Sequence, residues 1–451
     1  MRYHFSGIAG AGVNPLARLV RAWGHDVQGS DRGFDRGQQA ERRQQLEAEG
    51  IRIVAQDGAA ITPAIDCMIY STAVEQDTPE LVAARRHGVA LVPRPALLAE
   101  IVNAAQPGIA ISGTAGKSTI TGMVAWCLRQ LGQPATILGG AALVGDDGPF
   151  TPGPAGGLVV AEACESDGTL PGYQPAIGLI HNITRDHGEV DEVKAQFEHF
   201  AARSQRLLVN AACPVATALA AQHPRAVRYG TGDPADLPLE IVSIGPWRSQ
   251  GVLGLPEGDI NLDLPQPGAH TLDNAAAALA VIRCLGLDVS AAAAALREFP
   301  GVVRRFQVLG TTDTGITVVD DYAHNGDKIR AAVEAAQAGC DRLVAVFQPH
   351  GFGPAKFLRP ELKTLLPSLL RPQDRFCYAG IHYAGGTVAK DISSADLVSD
   401  LPANLAAAHA PDHAAVLAWV ADTAIPGDTV LLMGARDPAL PGLAKALYGL
   451  L

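Results

Sequence analysis

Hydrophobic and polar positions alternate in blocks along the first hundred residues of the chain. Short apolar runs predict buried strands, and apolar positions three and four residues apart predict amphipathic helices. The pattern predicts strands at 3–8, 26–29, 51–55 and 66–71 and helices at 14–23 and 38–49. This alternation of strands and helices is typical of a parallel sheet wrapped by helices.

A second α/β unit is predicted after a proline-rich connector. Pro93, Pro95 and Pro107 surround a short helix-like stretch at 96–104, and prolines interrupt regular elements. The alternation resumes near Gly108. It predicts a strand from residue 109, strands at 157–161 and 176–180, helices at 118–131, 192–204 and 272–285, and a strand-like region at 224–267.

A second linker is indicated by Phe299-Pro300-Gly301, and strand-like runs at 316–320, 342–347 and 429–433 follow it. We therefore predict an α/β protein with three domains, at 1–106, 107–299 and 300–451. The first and third domains are expected to be Rossmann-like, and the central domain is expected to have a mostly parallel sheet.

The amino-acid composition limits the classes of protein to which the chain can belong. The chain has 451 residues, 48% hydrophobic and 18% charged, which is enough apolar material for sizeable cores. A net charge of −11 argues against a general nucleic-acid or membrane surface, although a small anionic ligand could still bind locally. The seven cysteines lack metal-binding or disulfide spacing, and we find no apolar run of membrane-spanning length. A cytoplasmic protein without nucleic-acid or membrane partners is expected.

A glycine-rich loop lies between the predicted strand at residue 109 and the following helix. It reads Gly113-Thr114-Ala115-Gly116-Lys117-Ser118-Thr119. Backbone N–H groups, a helix N-terminus and a lysine meet in such a loop, which suits a phosphate chain. Lys117 is expected at the terminal phosphates and Ser118 at a bridging magnesium ion, which predicts a P-loop ATPase domain. The full motif has a glycine where Ile111 stands, so a glycine turn with a solvated lysine remains an alternative.

Acidic residues follow two predicted strands of the central domain. Glu162-Ala163-Cys164-Glu165-Ser166-Asp167 follows the strand at 157–161, and Asp186-His187 follows the strand at 176–180. Magnesium takes oxygen ligands, and open α/β sheets bind ligands at the carboxyl ends of their strands. These residues are therefore candidates for metal binding, although acidic residues also cap helices and a lone histidine is often structural.

The ordered set of motifs resembles the Mur ligases over the whole chain, and it is most similar to the alanine-adding branch of that family. The similar segments include the glycine-rich start at 4–13, the loop at 113–119 and the segments at 162–167 and 182–187. Further similar segments are Gly29-Ser30-Asp31, Tyr70-Ser71-Thr72-Ala73, Pro79-Glu80-Leu81, Leu272-Asp273-Asn274, Arg304-Arg305-Phe306, Asp320-Asp321-Tyr322-Ala323-His324 and Phe347-Gln348-Pro349-His350. Each segment alone is weak evidence, but their ordered combination is specific.

The resemblance implies an ADP-forming ligase that uses ATP and Mg²⁺ in peptidoglycan precursor synthesis. A muramyl carboxylate, expected to be UDP-N-acetylmuramate, would become an acyl phosphate. An amino acid, expected to be L-alanine, would then displace the phosphate. The first domain would bind the UDP-sugar, and closure of the third domain over ATP would complete the site. The expected assembly is a monomer or a homodimer.

Roles for individual residues also follow from the resemblance. The expected catalytic residues are Lys117, Glu165, His187 and His324, the last orienting the amine, and the expected metal ligands are Ser118, Glu165 and His187. The nucleotide is expected to contact Gly113, Thr114, Gly116, Lys117, Ser118 and Thr119, with Asn274 at the adenine, Arg305 at the phosphates and Asp320 or Asp321 at the ribose or the amine. The expected substrate-binding residues are Gly7, Gly10, Gly12, Ser30, Asp31, Ser71, Thr72, Arg94 and His350. Arg305 could instead form an interdomain ion pair, and the two aspartates could cap a strand.

Several positions depart from the family pattern. Ala115 stands where a histidine is usual, Cys164 replaces an acidic residue, Asn325-Gly326 replaces a His-Pro pair, and the segment at 351–356 lacks the usual arginines. A different amino acid or carboxylate acceptor, or a non-catalytic ATP-binding partner, therefore remains an alternative. The spacing of Gly7, Gly10 and Gly12 also permits a nicotinamide-dependent dehydrogenase, which would leave the phosphate loop unexplained.

Overall fold

Three β-sheets, each built from its own stretch of chain, organise the protein. The computed structural model describes residues 1–71, 74–165, 168–184, 190–383 and 389–451. The sheets have five, ten and six strands and span 2–93, 108–264 and 307–434. The predicted α/β architecture with three units is confirmed, whereas the exact domain boundaries at 106/107 and 299/300 remain predictions.

The first sheet is entirely parallel, with the strand order β3-β2-β1-β4-β5. Its strands are β1 Arg2–Ser6, β2 Asp26–Ser30, β3 Arg52–Ile53, β4 Cys67–Tyr70 and β5 Ala90–Pro93. The helices are α1 Asn14–Ala22, α2 Arg32–Asp35, α3 Ala40–Ala48, α4 Pro79–His87 and α5 Arg94–Ala104. The chain reverses its direction of winding beside β1, and open sheets bind ligands at such a crevice.

The second sheet has a parallel centre and antiparallel edges, in the order β15-β14-β13-β12-β11-β10-β6-β9-β7-β8. Its strands are β6 Gly108–Ser112, β7 Thr136–Leu138, β8 Phe150–Thr151, β9 Val159–Glu162, β10 Ile177–Ile180, β11 Arg206–Asn210, β12 Ala226–Gly230, β13 Leu237–Ile244, β14 Ser249–Leu253 and β15 Ile260–Leu264. Its helices are α6 Lys117–Gln130, a 3-10 turn Leu170–Gly172, α7 Val190–Arg203, α8 Pro214–Ala220, α9 Ala269–Cys284 and α10 Val289–Leu296.

The third sheet is parallel except for β16, in the order β16-β17-β21-β18-β19-β20. Its strands are β16 Gln307–Thr311, β17 Thr317–Asp321, β18 Leu343–Gln348, β19 Arg375–Ala379, β20 Ala407–Ala410 and β21 Thr429–Gly434. Its helices are α11 Gly326–Gln337, α12 Phe352–Leu369, α13 Ser394–Ser399, α14 His413–Thr423 and α15 Leu440–Leu450.

Alanine side chains allow two helices of the second unit to pack closely. Ala275, Ala276, Ala277 and Ala278 of α9 are fully buried, and α9 packs against α6, which follows the phosphate loop. Small side chains permit a close approach without leaving voids, so the loop rests on a rigid support. Among the described residues, no helix combines the length and the apolar character that crossing a membrane requires.

Candidate active site

The phosphate loop is shaped by two glycines and by a clamp from the neighbouring strand. Gly113 has φ +136° and Gly116 has φ +83°, values that side chains rarely tolerate. Asn182, which follows β10, accepts hydrogen bonds at Oδ1 from the Thr114 hydroxyl at 2.9 Å and the Ala115 N–H at 2.8 Å. Its carbonyl accepts the Thr114 N–H at 3.0 Å. The loop is therefore held open for a ligand.

Lys117 lies at the centre of this loop. Its ammonium donates to the Gly113 carbonyl and to Oε2 of Glu165, the latter at 2.9 Å, and the side chain is only 10% exposed. Burial lowers the pKa of Lys117, but the charges of Glu165, Cys164 and Glu162 and the hydrogen bond to Glu165 outweigh it, so the pKa is raised. The lysine is thus cationic and held at the loop by these two acceptors.

Ser118 connects the loop to β9 of its own unit and to the third unit. Its hydroxyl donates to Oε2 of Glu162 at 2.9 Å and accepts from the Arg305 guanidinium at 3.2 Å. The Gly140 N–H also donates to Glu162, at 2.9 Å. Arg305 lies 4.6 Å above the ring of Tyr322, so a residue of the third unit is held next to the phosphate loop.

The candidate metal ligands among the described residues suit magnesium better than a softer metal. Ser118, Glu162 and Glu165 offer only oxygen, the ligand type that Mg²⁺ prefers. No three His, Cys, Asp or Glu side chains in the described part of the chain are placed to hold a metal by themselves. Magnesium commonly uses one or two carboxylates together with substrate phosphates and water, so this set is compatible with it. The candidate ligand His187 lies outside the described residues.

A cavity of about 380 Å³ opens between the second and third units. Ten of the predicted site residues line it, namely Thr114, Gly116, Lys117, Ser118, Thr119, Glu165, Asn274, Arg305, Asp321 and His324. Gly113 belongs to the phosphate loop but is not among the residues that line the cavity. Asp320 is turned away and pairs with Arg304 at 3.2 Å, and burial raises the pKa of its carboxyl to about 6 despite that arginine.

His324 faces the cavity from the loop after β17. Its Nδ1 donates to the Tyr322 carbonyl at 2.8 Å, so the lone pair of the neutral ring is on Nε2. The Lys328 ammonium lies 3.4 Å from that Nε2. His350 lies outside the cavity lining but close behind, with its ring centroid 5.2 Å from that of His324. The geometry suits an imidazole that contacts an amine.

The predicted substrate-binding residues of the first unit surround the turn between β1 and α1. The N–H groups of Gly7 and Ile8 both donate to the Ser30 carbonyl at 2.9 Å. Asp31 accepts from the Ala9 N–H at 3.0 Å, and a Cβ on Gly12 would lie 3.0 Å from the Arg94 side chain. These contacts bring Gly7, Gly10, Gly12, Asp31 and Arg94 together around one turn.

The Ser30 hydroxyl is buried and donates to Glu80, beneath the turn rather than towards its mouth. Ser71 is half-buried after β4, and Thr72 lies outside the described residues. The hydroxyl of Ser30 is therefore committed to the protein interior, and only its backbone faces the turn.

Several residues that the motif analysis did not assign to the site line the cavity. Glu162 belongs to the acidic segment that is a candidate for metal binding, although Glu165 is the expected ligand of that segment. Tyr322 and Lys328 flank His324, while His181 and Gln266 come from loops. The signal for Glu162 was its position at the end of a strand. His181 has the same signal, because it directly follows β10, but no motif assigned it a role. Gln266 gave no such signal, because only the packing of distant segments brings it to the cavity.

Comparisons with known proteins show similarity to one family along nearly the whole chain. Three family models match, described as "Mur ligase family, catalytic domain" at residues 2–106, "Mur ligase middle domain" at 111–282 and "Mur ligase, glutamate ligase domain" at 304–436. A UDP-N-acetylmuramate–L-alanine ligase of Thermobifida fusca (strain YX) is 31% identical, covering 97% of this chain and 94% of its own. One from Caulobacter sp. (strain K31) is 34% identical, covering 98% and 96%.

Solved structures agree in fold. The crystal structure of UDP-N-acetylmuramate-alanine ligase from Thermotoga maritima superposes with a TM-score of 0.79 at 25% identity, covering 99% of this chain and 98% of the other. A murein peptide ligase from Psychrobacter arcticus 273-4 superposes with a TM-score of 0.70 at 22% identity, covering 100% and 98%. The second similarity concerns the fold alone.

Proposed function

The chain belongs to the Mur ligase family of ATP-dependent, ADP-forming amide ligases, and we propose that it joins L-alanine to UDP-N-acetylmuramate. The observation that carries this proposal is the full-length similarity to ligases named for that reaction, at 31% and 34% identity. The cleft supports it, because the residues expected at ATP converge on one cavity. The reaction is a step of peptidoglycan precursor synthesis, and we place it in the cytoplasm with small-molecule substrates.

The first chemical step transfers a phosphoryl group. A carboxylate oxygen of the muramyl substrate attacks the γ-phosphorus of ATP, the bond to the bridging oxygen breaks, and ADP leaves. No protein nucleophile is needed, so the site acts by position and by charge. The Lys117 ammonium and the Arg305 guanidinium, which reach the loop from two units, neutralise the transferring phosphoryl group.

The second step forms the amide bond. The amino group attacks the acyl carbon, the tetrahedral intermediate collapses, and the C–O bond to phosphate breaks. The amine must lose protons, and Nε2 of His324 carries a lone pair that can accept one or orient the N–H. Asp321, whose pKa is raised by burial, lines the same cavity.

Magnesium would be held by Ser118, Glu165 and His187, with Glu162 as an additional oxygen ligand. When bound, it would supply positive charge that stabilises the transferring phosphoryl group. Lys117 and Glu165 pair directly in the present arrangement. We propose that bound nucleotide separates them. The carboxylate would then be free to hold the metal, and the ammonium would contact the phosphate.

The glycine turn of the first unit is the proposed UDP site. Gly7 has φ +73°, and nothing lies within 4 Å of the place where its Cβ would be. A diphosphate can therefore approach the backbone of this turn closely. Asp31 fixes the turn through the Ala9 N–H, and Arg94 packs on Gly12 beside it.

One observation favours a second candidate, a ligase of the same type for a different amino acid. The segment after His350 reads Gly351-Phe352-Gly353-Pro354-Ala355-Lys356, and its one cation, Lys356, pairs with Asp391. A carboxylate on the incoming amino acid would therefore need a cationic partner from another part of the chain. Both candidates share the ATP chemistry and differ only in the amine.

A phosphate-release assay tests the proposal. Purified protein is supplied with ATP, Mg²⁺, UDP-N-acetylmuramate or free muramic acids, and single amino acids. Phosphate release that requires both UDP-N-acetylmuramate and L-alanine supports the first candidate, whereas release with another amino acid supports the second. Tight ATP binding without turnover for any pair would reject the ligase activity and favour a non-catalytic ATP-binding role.

A further inference from the structure

A buried pair of rings, His181 and Tyr229, lies against the wall of the ATP cavity. His181 follows β10 and is 5% exposed, and Tyr229 belongs to β12 and is fully buried. The Tyr229 hydroxyl is 2.9 Å from Nδ1 of His181, and the rings are stacked with centroids 6.2 Å apart. His181 lines the cavity, although none of the motifs pointed to it.

The hydrogen bond fixes which nitrogen of His181 carries the proton. Burial raises the pKa of Tyr229 far above its ordinary value, so its hydroxyl is protonated, and Nδ1 of His181 is its acceptor among the described residues. Nδ1 therefore accepts. Burial and the neighbouring His270 lower the pKa of His181 to about 4, so the ring is neutral at physiological pH. The proton of the neutral ring is on Nε2, which is a donor.

A buried acceptor lies next to this donor. Oδ1 of Asn274 is inaccessible to solvent and has no hydrogen-bond partner among the described residues, and Asn274 also lines the cavity. A Cβ built on Gly116 would be 2.7 Å from Oδ1 of Asn274 and 3.3 Å from Nε2 of His181. A donor and an unsatisfied acceptor thus face the same point beside the phosphate loop, and a buried acceptor without a partner is costly unless a ligand supplies one.

ATP has few groups that can satisfy that acceptor. Its hydrogen-bond donors at neutral pH are the adenine amine and the ribose hydroxyls. Apolar residues such as Met123, Phe299 and Val302 line the same cavity and suit a flat base. The adenine amine is flanked by ring nitrogens N1 and N7, both acceptors. An acceptor and a neighbouring N–H donor on the protein match this edge, whereas guanine presents an oxygen where adenine has its amine.

We propose that Nε2–H of His181 donates a hydrogen bond to the adenine ring nitrogen beside the amine, while Asn274 accepts from the amine. His181 is then a nucleotide-binding residue, and Tyr229 is a positioning residue that keeps its proton on Nε2. The inference rests on the proposed function only in that ATP binds in this cavity. It adds His181 as a second base contact beside Asn274, which was already expected at the adenine.

Analogues of ATP test the contact in the unmodified protein. Calorimetry compares the binding of ATP, 7-deaza-ATP and 1-deaza-ATP, each lacking one candidate nitrogen acceptor. One analogue is expected to bind roughly three- to tenfold more weakly than ATP, the size of one neutral hydrogen bond, and the other is expected to bind like ATP. Equal binding of all three would overturn this inference alone, whereas failure of ATP itself to bind would overturn the proposed function as well.

A double substitution assigns the effect to the ring pair. His181→Phe combined with Tyr229→Phe removes both polar partners and leaves no buried hydroxyl without an acceptor. The weaker analogue and ATP are then expected to bind equally, which a merely structural role would not produce. Persistence of the wild-type ratio would contradict the proposal. His223→Phe is the matched control, because His223 bonds the Ser204 carbonyl away from the cavity and should keep the wild-type ratio.

The tautomer can be read independently of any variant. Nitrogen spectra of the wild-type protein labelled at histidine should show one ring with a bare Nδ1 and a protonated Nε2, unchanged between pH 6 and pH 8. The Nε2 signal of that ring should shift when ATP is added. A His181 signal with the proton on Nδ1 would overturn the assignment, even if the double variant does not fold.

Discussion

Lys117 carries a positive charge in a place where burial alone would disfavour it. Glu165 compensates for the desolvation, and the Gly113 carbonyl accepts a second hydrogen bond from the ammonium. The loop sequence predicted the lysine and its role in phosphate binding. It could not predict the Asn182 clamp, because Asn182 is distant in the chain and meets the loop only through the pairing of β6 with β10.

Lys117→Ala should abolish most turnover, because the ammonium is proposed to neutralise the transferring phosphoryl group. We expect kcat to fall on the order of 10²–10³-fold, as for loss of one electrostatic contact in a transition state. Glu165 would lose its buried partner, so the free energy of unfolding should also fall by roughly 1–3 kcal/mol. Steady-state phosphate release and chemical denaturation measure the two effects. Lys194→Ala, on the exposed face of α7, is the control, and a variant of Lys117 with wild-type kcat would refute the assignment.

Asp273 should make the protein less stable as the pH rises from about 4 to about 6. Burial raises the pKa of its carboxyl from 3.8 to about 6, although the Thr231 N–H donates to it. The folded state therefore binds the proton more tightly, and ionisation above that range works against folding.

Asp273→Asn keeps the acceptor for Thr231 without the charge. The free energy of unfolding at pH 7.5 should rise by roughly 1–3 kcal/mol, and the gain should shrink towards pH 4. Denaturation curves at several pH values measure it. A variant whose stability changes equally at both pH values would contradict the burial of an ionised carboxylate.

At the scale of elements, apolar periodicity located the strands and helices around both ligand sites. The predicted elements at 14–23, 26–29, 176–180 and 429–433 agree with α1, β2, β10 and β21 to within one or two residues. The sequence predicted no individual strands within 224–267, because β13, β14 and β15 form an edge meander with many exposed positions. Short elements such as α13 and β8 carry too few residues for a periodic signal.

A buried network beneath the first glycine turn was not predictable from periodicity. Glu80 of α4 accepts from the hydroxyls of Ser6 and Ser30, at the ends of β1 and β2, and from His4 at 2.8 Å. All four side chains are fully buried. Burial raises the pKa of Glu80, but the hydrogen bonds from His4, Ser30 and Ser6 outweigh it, so the pKa is lowered. One carboxylate therefore holds together the strand ends that carry the proposed UDP site.

Glu80→Gln should loosen the turn and raise KM for the UDP-sugar while KM for ATP stays unchanged. A carboxyl with a lowered folded pKa stabilises the protein above pH 4.5, and that contribution is lost as the pH falls through the folded pKa. The variant should therefore lose roughly 2–4 kcal/mol at pH 7 and differ less from the wild type in acid. Separate KM values and denaturation at both pH values test this. Glu75→Gln, largely exposed, is the control, and equal changes in both KM values would contradict a local role.

At the scale of the whole molecule, the active site depends on contact between the second and third units. Arg305 reaches Ser118, and Trp247, in the turn between β13 and β14, packs against Phe306 with ring centroids 6.4 Å apart. The indole also covers Gly339, where a Cβ would lie 2.9 Å from the ring. The three-unit organisation followed from the sequence, but this contact did not, because a single tryptophan in a turn gives no periodic signal.

Trp247→Ala should weaken the packing of the third unit against the second. KM for ATP is expected to rise roughly three- to tenfold, with a smaller change in kcat at saturating ATP, because bound nucleotide restores the closed arrangement. Thermal unfolding and initial rates over a range of ATP concentrations measure the effect. Val242→Ala removes an exposed side chain from the same hairpin and should change neither. An unchanged KM in the Trp247 variant would show that the hairpin does not support the site.

The central claim is that a substrate carboxylate is activated by ATP in this cleft. The most direct measurement follows oxygen-18 from the labelled carboxylate of UDP-N-acetylmuramate during turnover with ATP, Mg²⁺ and L-alanine. The carboxylate oxygen that attacks the γ-phosphorus leaves with the phosphate when the amine attacks the acyl carbon. One labelled oxygen must therefore appear in the released phosphate, and mass spectrometry should detect it in step with amide formation. Amide formed with unlabelled phosphate would contradict the acyl-phosphate route, and phosphate released without any amide would contradict the ligase itself.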